Sequence, residues 1–189
     1  TTTRSGSHGR LLRVDLTARK VHTEALAAPL FKKYPGGRGL GAKLLFDEVA
    51  PGTDPRGPNN RLYIATGPAN GTAAPAGGGF CLVTRSPATG TVTAAPAGGR
   101  FGLALKATGV DVLAIEDAGA RLVDAAHLWG QDTAATTDAL VAAHGADAGV
   151  ACIGPAGERG VISATVVNDR HLSAARGGTG AVMGAKRLK

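Results

Sequence analysis

A chain of 189 residues, 43% hydrophobic but only 4% aromatic, is long enough for one domain with a sizeable core. It has no apolar run near the ~20 residues of a membrane span, which argues against a membrane partner. Its 21 Lys and Arg against 14 Asp and Glu leave a net charge of +7 and favour an anionic partner. Scarce aromatics, and arginines scattered among glycines rather than along one helix face, argue against nucleic acid. An anionic cofactor or a small organic substrate fits better. With no secretory apolar segment in the polar stretch 1–9, which reads as a disordered lead-in, a cytoplasmic protein is expected. Its two cysteines, Cys81 and Cys152, then read as small core residues rather than a disulfide.

In chain order, Leu11, Arg13 and Asp15 alternate against Leu12, Val14 and Leu16, the period-two mark of a half-buried strand, and residues 21–24 can pair back on it. Residues 26–34 read as a short helix stopped by Pro35, and residues 40–46 as a second with Leu40, Leu44 and Leu45 on one side. A Pro- and Gly-rich link over 50–60 leads to a strand over 61–66. The loop over 67–79 is long for a compact domain, which marks it as functional or disordered. Strands are expected over 80–84, 91–93, 111–116, 121–123, 150–154 and 161–167, with a short helix from Leu103 to Ala107 ended by Gly109. Asp124 can cap a turn holding Leu128 and Trp129, and Asp132 or Thr133 opens the strongest helix, which runs to His144. His127 and His144 have no second ligand at metal spacing and read as structural, so no metal-ligating set is expected.

Three stretches repeat one device: paired glycines, an Arg and a small or apolar run. They are Gly36-Gly37-Arg38-Gly39, Gly98-Gly99-Arg100-Phe101-Gly102 and Arg176-Gly177-Gly178-Thr179-Gly180, the last continuing into a helix that Thr179 is placed to cap. Such loops suit a shared anionic ligand such as a phosphate, because backbone N–H groups can approach it closely. The last stretch reads equally as a glycine-rich turn. No Walker A spacing is present, and the dinucleotide fingerprint lacks its preceding strand and acidic partner. Short strands with short interposed helices argue α+β with mixed or antiparallel sheets. Ile153-Gly154-Pro155-Ala156-Gly157 echoes Thr66-Gly67-Pro68-Ala69-Asn70-Gly71, which implies two related halves with approximate internal symmetry and a ligand surface between them.

Taken together, Gly37-Arg38-Gly39-Leu40, Gly52-Thr53-Asp54-Pro55, Thr66-Gly67-Pro68, Thr84-Arg85-Ser86-Pro87, Ile153-Gly154-Pro155-Ala156-Gly157-Glu158 and Arg176-Gly177-Gly178-Thr179-Gly180-Ala181-Val182-Met183-Gly184 resemble the N-terminal domain of the aldehyde ferredoxin oxidoreductase family. The resemblance runs from Gly9 to the end, so residues 10–189 are expected as one domain of that type. It implies a two-sheet base on which a tungsto- or molybdo-bis-pterin lies. Arg38, Gly39, Gly98, Gly99, Arg100, Arg176, Gly177, Gly178, Thr179 and Gly180 are then the candidate cofactor-binding residues. The chain departs from the family at Gly79, where an Arg is usual, at Pro96 in place of an Asn, at Ala97 in place of a small polar residue, and at Arg100 in place of an aromatic. Two cysteines cannot hold an iron–sulfur cluster on this chain alone. The resemblance therefore implies a cluster-bearing subunit or segment that completes an oxidoreductase, with a homo-oligomer also open. The alternative is a metal-free domain acting as a small enzyme or binding protein. For that use Asp169, Arg170 and His171 are the nearest acid–base cluster, although the same residues read as a solvated corner.

Overall fold

The computed structural model describes residues 6–75, 77–119 and 123–189; the strand expected over 121–123 falls largely outside them. A six-stranded mixed sheet forms the centre, built from β1 (Arg10–Leu16), β2 (Lys20–Ala25), β3 (Leu62–Thr66), β4 (Phe80–Arg85), β5 (Val92–Ala97) and β6 (Val112–Gly119) in the order β2-β1-β6-β3-β4-β5. Among the described residues, β1 and β6 are the one pair that runs parallel. β7 (Ala151–Cys152), β8 (Val166–Asn168) and β9 (Leu172–Ala174) form a second, antiparallel sheet. The expected α+β architecture with two sheets is what the chain adopts.

The alternation read in the sequence decides what covers each face. Tyr63 and Ala65 of β3, Cys81 and Val83 of β4 and Leu11 of β1 meet Phe31 of α1 (Ala28–Lys33) and Leu40, Leu44 and Leu45 of α2 (Gly37–Glu48). Leu62, Ile64, Phe80, Leu82 and Ala95 point the other way, into a core with Leu105 of α3 (Arg100–Ala107), Ile153, Val166 and Val182 of α6 (Thr179–Ala185). Glycine allows the tightest approaches. A Cβ on Gly41 would stand 2.7 Å from Val83 Cγ2, and one on Gly184 2.6 Å from the Gly157 carbonyl carbon in α5 (Pro155–Glu158). α4 (Thr133–His144) is capped as expected by Asp132, whose carboxylate accepts from the Ala135 amide at 2.8 Å.

The two halves echo each other in structure as in sequence. The meander β3-β4-β5 leads through Gly98-Gly99 into α3, and β7-β8-β9 leads through Gly177-Gly178 into α6. Each helix start packs on the other half. A Cβ at Gly99 would lie 2.9 Å from Leu172 Cδ1 of β9, and one at Gly178 2.8 Å from Pro87 Cγ in the β4–β5 hairpin.

Several local expectations change. Residues 161–165 form turns rather than a strand, because that backbone serves α6: the Gly180 amide donates to the Ala164 carbonyl at 3.0 Å. Residues 6–9, expected within a disordered lead-in, are tied down by buried Asp111, which accepts from the His8, Gly9 and Arg10 amides and the Ser7 hydroxyl. Lys106 pairs with the same carboxylate and donates to the Gly6 carbonyl at 2.9 Å.

Candidate functional site

Antiparallel pairing sends the glycine stretches to two ends of the large sheet. At the end where β3 stops and β4 starts, a Cβ on Gly36 would sit 2.7 Å from the Thr66 carbonyl. The loop over 67–79 leaves from the same end, and so does Gly98-Gly99 after β5. That long loop is organised by buried Asn70, which accepts from the Gly67 amide at 2.8 Å and donates to the Gly79 carbonyl at 2.6 Å. The third stretch lies toward the far end of β5, where a Cβ on Gly177 would press on Thr93 Cγ2 at 2.7 Å. Thr93 and Ala97 are four residues apart, about 13 Å of extended strand. A ligand that touches both the second and the third stretch therefore has to span about that length.

The three arginines differ in what they are free to do. Arg38 is exposed at the start of α2, on the α2 face, with its guanidinium beside Cys81. Burial pushes the Cys81 thiol up, and Arg38 offsets part of that rise. Arg100 turns outward, donating to the Ala146 carbonyl at 2.9 Å and to the Asp147 carboxylate at 2.7 Å. Arg176 is exposed and has no ion-pair or hydrogen-bond partner among the described residues. It precedes Gly177 and Gly178, both in the left-handed region at φ 71° and 69°.

Gly39 is exposed near the start of α2, while Gly178, Thr179 and Gly180 are buried. Thr179 is not the cap of α6. Gly178 holds that position, and the Thr179 hydroxyl donates to the Ala174 carbonyl at 3.2 Å. The Gly180 amide is already spent on Ala164.

Asp169, Arg170 and His171 form the β8–β9 turn, with Asp169 and Arg170 at φ 48° and 70°. Arg170 pairs with Asp138, and His171 is exposed. The Asp169 carboxylate reaches across to the other half and accepts the Arg100 amide at the start of α3. Its neighbour Asn168, fully buried, donates to the Gly98 carbonyl at 2.6 Å. Sequence reasoning missed this pairing, since 69 positions separate Arg100 from Asp169. It also missed Arg85, whose Nε, with Asn168 Oδ1, is a buried side-chain atom lacking a partner among the described residues. The available signal was a charged residue directly after the buried run Phe80-Cys81-Leu82-Val83-Thr84.

Among the described residues no three His, Cys, Asp or Glu side chains gather as a metal site, and no helix is long and apolar enough to cross a membrane. A Cβ on Gly79 would stand 3.3 Å from the Ala97 carbonyl, and Pro96 is exposed on β5, the edge strand.

Comparison with known proteins agrees with this architecture. The family model "Aldehyde ferredoxin oxidoreductase, N-terminal domain" matches residues 11–189. The tungsten-containing aldehyde ferredoxin oxidoreductases of Thermococcus kodakarensis and Pyrococcus furiosus are 43% and 42% identical over 97% of the chain, which spans 33% of each relative's length. A solved active site complex, BamBC of benzoyl coenzyme A reductase with 1,5-dienoyl-CoA, superposes with a TM-score of 0.92 at 33% identity, covering 99% of this chain and 30% of that one. With its sheets, its paired halves and nearly its whole length accounted for, the chain belongs to the aldehyde ferredoxin oxidoreductase family, as its N-terminal domain.

Proposed function

We propose that this domain is the cofactor-bearing base of a cytoplasmic tungsten- or molybdenum-dependent oxidoreductase, with the iron–sulfur cluster and most of the substrate pocket supplied by other segments or by a partner subunit. The observation that carries this reading is Arg176: an exposed guanidinium with no partner among the described residues, on a glycine turn packed against Thr93 of β5. A guanidinium is the side chain best suited to bidentate contact with a phosphate. The tungsten named in the relatives supports a metal–pterin as the ligand.

The fit is one-sided. At the Arg176 end the residues suit an anionic arm, which Arg176 would clamp while Gly177 lets the backbone approach. At the α3 end they do not, because Asp169 holds the Arg100 amide and Asp147 holds the Arg100 side chain. When bound, the metal–pterin supplies the two-electron chemistry, and the protein supplies binding and orientation. Gly79 and Pro96 contribute neither charge nor side-chain donor, so the cofactor is held here by fewer groups than the family pattern provides.

The test is elemental analysis for tungsten, molybdenum and iron on protein purified without chelators from its own source, beside an Arg176→Ala variant. About one tungsten or molybdenum per chain, reduced in the variant, is the expected result. Metal-free protein that is folded and active would overturn it. That outcome would favour the second reading, a cofactor-free enzyme or binding domain, for which the absence of a charged or donor side chain at Gly79 and exposed Pro96 is the specific observation.

A further inference from the structure

The two helix starts that the internal symmetry makes equivalent are not chemically equivalent. Both N-caps are glycines, but near the start of α6 the Gly180 amide donates to the Ala164 backbone carbonyl, whereas α3 begins against the carboxylate of Asp169 from the opposite half. We infer that the second glycine loop takes its anion from within the protein: Asp169 is a positioning residue that closes the start of α3 and, through the hairpin it belongs to, holds β9 against β5.

Several observations converge on this. The Arg100 amide donates to Asp169 Oδ2, and Asn168 Nδ2 lies 3.3 Å from the same oxygen. Asn168 also donates to the Gly98 carbonyl at 2.6 Å, so two consecutive residues of β8 and its turn grip both sides of Gly99. Gly99 is at φ 99° and has no room for a Cβ, which would stand 2.9 Å from Leu172 Cδ1, so the loop is shaped around this hairpin. Asp169 and Arg170 are both left-handed without being glycine, a conformation uncommon for side-chain-bearing residues. The Asp169 backbone is anchored by its own amide on the Val150 carbonyl at 3.0 Å. A glycine would relieve the strain at 169 but would remove the carboxylate. β9 continues directly into Ala175 and Arg176, so closing the α3 end also fixes where the Arg176 turn stands on Thr93. The inference holds whether or not the Arg176 end receives a cofactor.

The experiment compares amide hydrogen exchange at Arg100 in the wild type and in Asp169→Asn, Asp169→Gly and Asp169→Ala, together with amide NMR shifts at residues 98–100 on titration with inorganic phosphate. Asn tolerates the left-handed backbone and still offers an acceptor, so it should keep Arg100 protected. Gly and Ala should both speed its exchange by about fivefold, the factor implied by a lost capping side chain. Phosphate should leave the wild-type amides at 98–100 unmoved. If Asp169→Gly protects Arg100 as well as the wild type does, the residue serves only the turn and the inference falls. It falls equally if phosphate shifts the wild-type amides at 98–100 in a saturable way. Neither result bears on metal content, so the two proposals fail separately.

Discussion

Lys106 and Asp111 form a buried ion pair, their side chains 7% and 2% exposed. Burial alone would push the Asp111 carboxyl up, but Lys106 and the amides of His8 and Arg10 together outweigh it and hold it below the usual carboxylate value. A depressed folded-state value means that the stability it contributes is present above the ordinary carboxylate range and is lost as pH falls through the folded value. Acid unfolding monitored by circular dichroism should therefore lose part of its pH dependence in Asp111→Asn. Lys106→Met leaves the carboxylate buried without its partner, and urea unfolding should show a loss of about 3–5 kcal/mol. The thiols give a second check at this scale. Cys81 and Cys152 are free and buried, and burial pushes both thiols up. Neither should react with a thiol reagent until denaturant is added, with the modified mass read by mass spectrometry. Both were legible as core residues because each sits in an apolar run, which is a local property.

Among the elements, strands marked by a clean period two, such as β1, or by an unbroken apolar run, such as β3 and β4, were legible, and short polar ones were not. Leu12, Val14 and Leu16 do face the main core, while Leu11 turns to the helices; Arg13 lies on that second side and bridges Glu24 and Glu48. β9 is three residues long with Leu172 and Ser173 exposed, too short and too polar to show a period. The apolar run 161–167 reads as a strand, yet Val161 and Ile162 are exposed and only the end of the run joins β8. α2 begins three residues earlier than expected, because glycines that suggest a loop are tolerated in a helix whose face must approach β4 closely. Gly41→Ala tests that packing. Its Cβ would meet Val83, and equilibrium unfolding should show a loss of about 1–3 kcal/mol, the usual cost of overpacking. In the double variant with Val83→Ala the combined loss should be smaller than the sum of the two single ones, since each change removes the other's clash or void.

At the scale of the whole molecule, residues 6–9 close over Asp111, Lys106 and the start of the 67–79 loop. Deleting residues 1–9 should therefore lower the thermal midpoint, at a cost of about 3 kcal/mol for hydrogen bonds stripped from a buried charge, measured by calorimetry. The sequence by itself determined the two-sheet α+β class, the paired halves and the family, because apolar periodicity, turn residues and ordered motifs are carried by neighbours along the chain. Only the tertiary structure decided which arginine beside a glycine stretch is left exposed without a partner among the described residues. Gly98-Gly99-Arg100 and Arg176-Gly177-Gly178 look alike as strings, but an anion site is defined by what stands opposite the amides. For α3 that is a carboxylate 69 residues away, brought there by the pairing of the two halves.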